Sequence, residues 1–183
     1  MHDPILVERM AALKSEPFDG LVHRATRENL DPRIPSTSGG RWAPRSTDRV
    51  QVPVLYTSLV REGALAEVCY HWSSFTPRPS KPVKITKLEI KLKRVVTVST
   101  DWLTSLGIDM TSFGDFLPAR LQEVGAVAAF LGFDGLKVPS ARWKCENLVI
   151  FTENHDGDEP KIVSSETVAW QEWAKEKGIL LNE

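Results

Sequence analysis

The sequence predicts a single α+β domain, and three observations carry that prediction. The chain has 183 residues, a length typical of one domain. Hydrophobic residues make up 42% and charged residues 26%, as in soluble globular proteins. Strand-like and helix-like segments follow one another without a repeat, a low-complexity tract or a linker. We therefore treat residues 1–183 as one domain.

The first half of the chain predicts two helices and two strands. Pro4–Lys14 has apolar residues on one helical side, and Glu62–Ser74 is a helix with small residues near its start. Gly20–Thr26 and Val52–Ser58 are strand-like. Asp31–Gly40 lies between these strands, and its content of Pro, Ser and Gly predicts a loop.

The second half begins with the longest predicted strand, over residues 83–99. Apolar residues alternate there with charged ones, and we interpret its lysines as a solvated strand face rather than a nucleic-acid patch. Ser99 or Thr100 is placed to cap a short helix. The remaining predictions are a helix at Phe116–Leu131, adjacent buried strands in "DGLKVPS" and "NLVIFTE", a strand at Ile162–Val168 and a helix at Trp170–Lys177.

Charge and cysteine content narrow the functional classes. The formal net charge is −1, so no basic field exists to hold a nucleic-acid backbone. Two cysteines are too few for a disulfide framework and fit a reducing compartment. The N-terminus carries Asp3, Glu8 and Arg9 among its apolar residues, unlike a signal peptide. The longest apolar run, Val124–Phe133, is far shorter than the ~20 residues that span a bilayer. We expect a cytoplasmic protein.

Two arginines and a tyrosine are candidates for ligand binding. Arg24 lies in a strand, where an arginine can equally well be an edge residue that extends to water. Arg41 follows Gly39 and Gly40, and a sharp glycine turn beside a guanidinium group suits a phosphate, although a plain surface turn has the same residues. Tyr56, in "VLYTS", is either part of the core or a flat surface for a heterocycle.

Glu67 is the most suggestive single residue. It lies on a helix with Gly63, Ala64 and Ala66, and largely apolar residues follow it. Such a glutamate faces either water or a cleft, and a partly buried carboxylate is costly without a partner or a function.

Ser140 and Asn147 border two of the predicted strands, where plain turn chemistry also explains them. Ser140 lacks a Gly-x-Ser-x-Gly context and an evident histidine partner, which argues against a hydrolase triad. The four histidines and two cysteines have no metal-ligand spacing, so we expect no metal.

Taken in order, these motifs resemble the RES domain family. The stretches "HRAT", "GGRW", "LYTS", "ALAEV", "VPSAR" and "NLVIF" follow one another between about residues 21 and 151, where the core motifs lie. The family is named for an arginine, a glutamate and a serine, and its members resemble ADP-ribosyltransferases. The resemblance implies a central, mostly antiparallel split sheet flanked by helices. Two departures affect the surroundings of the motifs: Ala43 begins a longer loop after Arg41, and Cys145 stands where the family often has glycine.

The resemblance also implies an activity and a set of site residues. Many members are toxins of toxin–antitoxin pairs that degrade NAD, and their usual antitoxins are Xre-type helix-turn-helix proteins. Catalytic roles then fall on Glu67, Arg41, Tyr56 and Ser140. NAD, the substrate, is expected to contact six residues: Arg24, Arg41, Tyr56, Glu67, Ser140 and Asn147.

The residue types suit cleavage of the nicotinamide–ribose bond. Two arginines can bind the diphosphate, an aromatic ring can stack on the nicotinamide cation, and a carboxylate can stabilise positive charge on the ribose. The acceptor stays open between water, phosphate and a protein side chain. The alternatives are a protein ADP-ribosyltransferase and an interaction module without chemistry. We expect an antitoxin that covers the cleft, and the six tryptophans leave room for a homo-oligomer interface.

Overall fold

In the part of the chain that the structure describes, six strands form one mixed sheet with five helices packed around it. The structure is a computed structural model, and it describes residues 2–45, 51–114 and 119–179. The helices within these ranges are α1 (Pro4–Ala11), α2 (Arg61–Ser73), α3 (Thr100–Ser105), α4 (Ala119–Phe130) and α5 (Trp170–Glu176). The strands are β1 (Ser15–Arg27), β2 (Val54–Ser58), β3 (Val83–Thr97), β4 (Gly135–Pro139), β5 (Glu146–Phe151) and β6 (Lys161–Val168).

The strand pairings close most of the sheet into a ring. The order is β1-β2-β5-β4-β3-β6, and β1 also pairs with β3 along nearly its whole length. The pair β3–β4 is parallel, and the other pairs are antiparallel. A buried apolar cluster contains strand residues and no helix residue, so it fills the ring interior; its members are Val22, Leu55, Leu88, Ile90, Leu92, Val95, Leu148 and Ile150.

The outer faces of the ring are covered by two groups of helices. The helices α1, α3 and α4 pack on one large cluster, around residues such as Met10, Leu103 and Val127. The helices α2 and α5 cover a second cluster, in which Trp72 and Trp170 meet edge to face at a centroid distance of 5.6 Å. Burial of these apolar faces is the main force that fixes the helices on the sheet.

The predicted mixture of helices and a mostly antiparallel sheet is confirmed. Each predicted element in the described ranges is present, and Ser99 caps α3 by accepting the Trp102 backbone N–H at 3.2 Å. The strand predicted at Gly20–Thr26 extends back to Ser15, because pairing with β3 orders exposed residues that carry no apolar pattern. The predicted helix at Phe116–Leu131 is α4; its first three residues lie outside the described ranges.

Candidate active site

Glu67 lies near the middle of α2, and three hydrogen bonds hold its carboxylate. Its Oε1 atom accepts from the Ser140 hydroxyl at 2.7 Å, the Ala141 backbone N–H at 3.2 Å and the Asn147 side-chain amide at 2.9 Å. The partners come from the loop after β4 and from the start of β5. The fold thus brings together Glu67, Ser140 and Asn147, which are distant in sequence.

The second carboxylate oxygen of Glu67 has no hydrogen-bond donor among the described residues. Only Oε1 accepts hydrogen bonds within these ranges, and Glu67 is half-buried, so part of the residue remains exposed. A carboxylate that is held in place through one oxygen and accessible through the other can stabilise positive charge on a bound molecule.

Glu67 reaches its partners because α2 lies very close to β2 and to the loop after β4. A Cβ atom on Gly63 would lie 2.3 Å from the Ser58 hydroxyl oxygen and 2.6 Å from the Cys145 sulfur. Residues four apart share one face of a helix, so Gly63 and Glu67 face the same neighbours. The absence of a side chain at Gly63 therefore sets the distance at which Glu67 meets its donors.

Ser140 organises the loop that faces Glu67. Its hydroxyl oxygen accepts the backbone N–H groups of Arg142 and Trp143, each at 3.2 Å. Its own backbone N–H donates to the Cys145 carbonyl at 2.9 Å. Because the hydroxyl hydrogen is donated to Glu67, the Ser140 side chain is fully engaged in positioning the loop and the carboxylate.

The loop that carries Arg41 is fixed by close backbone packing. Gly39 has a φ of 80°, a conformation that glycine adopts without strain. A Cβ on Gly40 would lie 2.6 Å from the Tyr56 hydroxyl, and a Cβ on Gly125 of α4 would lie 1.6 Å from the Trp42 carbonyl oxygen. The double glycine and Gly125 thus allow the chain to pass between Tyr56 and α4 and to present Arg41.

Arg41 extends toward the site and is half-buried. Its Nη1 donates to the Phe113 carbonyl at 2.5 Å, and its guanidinium lies 5.2 Å from the centroid of the Phe113 ring. Burial lowers the pKa of Arg41, and the carboxylate of Glu67 opposes this effect. The two groups are therefore near enough to interact electrostatically.

Tyr56 is held with its hydroxyl end inward. The residue is half-buried, while the hydroxyl itself is buried and makes no hydrogen bond to a described residue. Burial raises the pKa of Tyr56, against smaller effects of the backbone amides of Trp42 and Ala43. The exposed part of Tyr56 is therefore its apolar part and not its hydroxyl group.

Arg24 lies on the other face of the sheet. His23 pairs with Ser58, whose hydroxyl faces α2, and side chains alternate along a strand, so Arg24 shares the interior face with Val22. Its Nη2 donates to the Ile34 carbonyl at 2.7 Å, and Nη1 is buried and makes no hydrogen bond to a described residue. Burial lowers the pKa of Arg24 to about 10. The structure does not place Arg24 beside Glu67; it holds the loop that leads to Arg41.

Two side chains near the site were missed by the sequence reasoning. The Arg142 guanidinium lies 3.1 Å from the centroid of the Tyr70 ring and donates through Nη2 to the Gly114 carbonyl. Only their positions in the sequence could have indicated that they lie near the site. Arg142 comes two residues after Ser140, and Tyr70 comes one helical turn after Glu67.

Other features of the described ranges lie away from this chemistry. These ranges hold no cluster of three or more His, Cys, Asp or Glu residues that suits a metal ion. A cavity of about 300 Å³ lies between α4 and the start of β2, lined by residues such as Val52, Ala126 and Phe130, and it includes none of the residues around Glu67. No helix in the described ranges has the length and apolar content of a membrane span.

The site therefore consists of a carboxylate on a helix, a serine loop that holds it and an arginine that follows a glycine turn, all on an α+β ring sheet. The RES domain family is named for the same three residue types, an arginine, a glutamate and a serine. The RES domain family matches residues 15–171, and this chain belongs to that family. The chain is similar in fold to a protein in the crystal structure of the M. tuberculosis MbcT–MbcA toxin–antitoxin complex, with a TM-score of 0.78 and 18% identity. That match covers 94% of this chain and 97% of the other. No curated protein matches the sequence.

Proposed function

We propose that this protein is a toxin that cleaves the nicotinamide–ribose bond of NAD. The observation that carries the proposal is the half-buried carboxylate of Glu67, which three donors hold through Oε1 while Oε2 accepts from no residue in the described ranges. Cleavage of this bond builds positive charge on the ribose, and a fixed anionic oxygen stabilises such a charge without reorganising. Family membership supports the same proposal.

The proposed reaction needs no general acid. The bonding electrons of the C1′–N bond pass to the pyridinium nitrogen, so nicotinamide leaves as a neutral molecule. Water or inorganic phosphate then attacks C1′ and forms the new C–O bond; when water attacks, one proton is released to solvent. This chemistry agrees with a site in which a carboxylate, not a histidine, is the central group.

The other site residues orient the substrate or the carboxylate. Arg41 binds phosphate oxygens, and the exposed part of Tyr56 stacks on the nicotinamide ring. Ser140 and Asn147 act through Glu67, because their hydrogen bonds end on its Oε1. Arg24 acts from the interior face, since its hydrogen bond fixes the loop that precedes Arg41.

We also propose that an antitoxin of the Xre type covers the site and that the pair acts in the cytoplasm, where NAD is available. The fold match to a protein from a toxin–antitoxin complex supports a partner of this kind. Expression of the toxin alone is expected to arrest growth. We expect a helix-turn-helix gene beside it, and co-expression of this gene is expected to restore growth. Growth arrest that this gene does not relieve contradicts the proposed partner.

Purified protein incubated with NAD tests the activity directly. Nicotinamide release is followed in phosphate-free buffer and in phosphate buffer, and the sugar product is identified. ADP-ribose in both buffers identifies a glycohydrolase, and phosphorylated ADP-ribose formed only with phosphate identifies a phosphorylase. Label from NAD that appears on a protein band, without free sugar product, contradicts the proposal and identifies a protein ADP-ribosyltransferase.

A further inference from the structure

Two guanidinium groups from different loops converge on the same pair of carbonyl groups. Arg142, in the loop after β4, donates through Nη2 to the Gly114 carbonyl. Arg41, in the loop before β2, donates through Nη1 to the Phe113 carbonyl oxygen at 2.5 Å. Its Nη2 atom lies 3.5 Å from the Gly114 carbonyl oxygen. One carbonyl oxygen therefore faces two positive charges.

Such convergence favours an acceptor with more negative charge than a carbonyl. Burial lowers the pKa of Arg41, the carboxylate of Glu67 raises it, and the guanidinium of Arg142 lowers it by a smaller effect, which agrees with the closeness of the two guanidinium groups. A phosphate oxygen carries the negative charge that a carbonyl oxygen lacks, and guanidinium groups pair with phosphate through two parallel hydrogen bonds.

We infer that Arg142 and Arg41 together bind the diphosphate of the substrate, and that in the free protein both guanidinium groups donate to the carbonyl groups of Phe113 and Gly114. This inference rests on the proposed function and specifies its substrate-binding residues. It assigns the second phosphate-binding arginine to Arg142, whereas Arg24 donates to the Ile34 carbonyl on the other face of the sheet.

The position of Arg142 is fixed relative to the carboxylate. Its backbone N–H donates to the Ser140 hydroxyl at 3.2 Å, and that hydroxyl donates to Glu67 at 2.7 Å. Its guanidinium lies on the Tyr70 ring, 3.1 Å from the centroid. Gly114 leaves room for it, because a Cβ there would lie 3.2 Å from the Arg142 Nη1 atom. A diphosphate bound by Arg142 is thereby held at a set distance from Glu67.

The variant Arg142→Met tests this inference through the kinetics of NAD cleavage. We expect KM for NAD to rise about tenfold or more and kcat to change less than threefold, since a lost phosphate contact weakens binding of substrate and transition state alike. Inhibition by nicotinamide, which carries no phosphate, is expected to stay unchanged. A fall in kcat with unchanged KM, or equal weakening of NAD and nicotinamide, overturns the inference in favour of a structural role.

Arg94→Met is the matched control. Arg94 donates to the Gly132 carbonyl at 3.0 Å and lies 5.1 Å from the Phe133 ring centroid, the same kind of contact in a place that includes no site residue. Its replacement is expected to leave KM for NAD unchanged. Melting curves of both variants confirm that each is folded.

Inorganic pyrophosphate separates this inference from the proposed function, because its binding requires no cleavage. Calorimetry is expected to show pyrophosphate binding to the wild type and at least tenfold weaker binding to Arg142→Met. If the wild type does not cleave NAD but binds pyrophosphate more tightly than Arg142→Met does, the inferred role of the arginine pair is supported and the proposed function is contradicted. If NAD is cleaved but pyrophosphate does not bind, or binds both proteins equally, the inference fails and the proposed function stands.

Discussion

The strand that carries Arg24 and the loop that carries Arg41 present the same side chain to two different environments. Arg24 lies in the ring interior and is 6% exposed; among the described residues, Nη2 has a carbonyl partner and Nη1 has none. Arg41 is half-buried and close enough to Glu67 for the carboxylate to affect its pKa. A sequence motif therefore predicts that an arginine is present, but the contacts of that arginine depend on which face of the strand or loop it lies on.

The matched variants Arg41→Met and Arg24→Met test this comparison with the largest expected effect. Loss of Arg41 is expected to lower kcat/KM for NAD by about 100-fold, because hydrogen bonds to charged groups contribute about 1.5–3 kcal/mol each and the phosphate loses such a partner. Loss of Arg24 is expected to lower the free energy of unfolding by about 1–2 kcal/mol, because the Ile34 carbonyl loses its donor, with less than a tenfold change in kcat/KM. Urea unfolding and initial rates measure both quantities. A similar loss of activity in both variants, with unchanged stability, contradicts the distinction.

The variant Gly63→Ala tests whether the close packing of α2 against β2 positions Glu67. The added Cβ would lie 2.3 Å from the Ser58 hydroxyl oxygen and 2.6 Å from the Cys145 sulfur. Something must shift to relieve both contacts, and we expect α2 to move away from β2. Such overpacking typically costs about 1–3 kcal/mol, and the displaced Glu67 is expected to lose at least about tenfold in kcat. Ala64→Gly, on the same helix, is the control: it costs about 1 kcal/mol through helix propensity and leaves kcat near the wild-type value. Equal kcat in the two variants would show that the closeness of α2 is not required.

Ser140→Ala removes one of the three donors to Glu67. We expect kcat to fall about tenfold with little change in KM, because two donors still hold Oε1. Ser58→Ala is the matched control, since the Ser58 hydroxyl lies 3.4 Å from the Cys145 sulfur and makes no hydrogen bond to Glu67. A loss of more than 10³-fold for Ser140→Ala would instead indicate that its hydroxyl takes part in the chemical step.

The smallest expected effect concerns pH and the half-buried His23 beside Arg24. Burial lowers the pKa of His23, and the charge of Lys87 lowers it further while Glu62 opposes. Below about pH 6.5 the imidazole of His23 therefore binds a proton in the unfolded chain, while in the folded protein it stays neutral down to a lower pH. The free energy of unfolding consequently falls as the pH drops below about 6.5. Free energies of unfolding at pH 7.5 and 5.5 are expected to differ less in His23→Gln than in the wild type. A steeper dependence in the variant contradicts this assignment.

Much of the fold could be predicted because its signals are local. The alternation through Leu88, Ile90 and Leu92 marks β3, and the cap at Ser99 marks α3. The closure of the ring by β1 and β3 could not be predicted, because it depends on pairing between distant residues, and the largely exposed start of β1 carries no apolar pattern.

The candidate site could be predicted only in part, for a similar reason. Glu67, Ser140 and Asn147 lie together as their motifs suggested, although their ligand-binding roles stay predictions. The face on which Arg24 lies depends on strand register. Arg142 has no local signal for binding an anion, because its relation to Arg41 arises only when two loops meet at Gly114.

The most direct test of the account compares Glu67→Gln with Glu62→Gln in the NAD assay. Both residues lie on α2, but Glu62 pairs with Arg61 at 3.3 Å and makes no contact with Ser140 or Asn147. We predict that Glu67→Gln loses about 10³-fold or more in kcat while its melting temperature stays near that of the wild type, because a neutral amide does not stabilise the charge that develops on the ribose. Glu62→Gln is expected to retain wild-type kcat. Cleavage of NAD by folded Glu67→Gln at the wild-type rate would contradict the central role of this carboxylate.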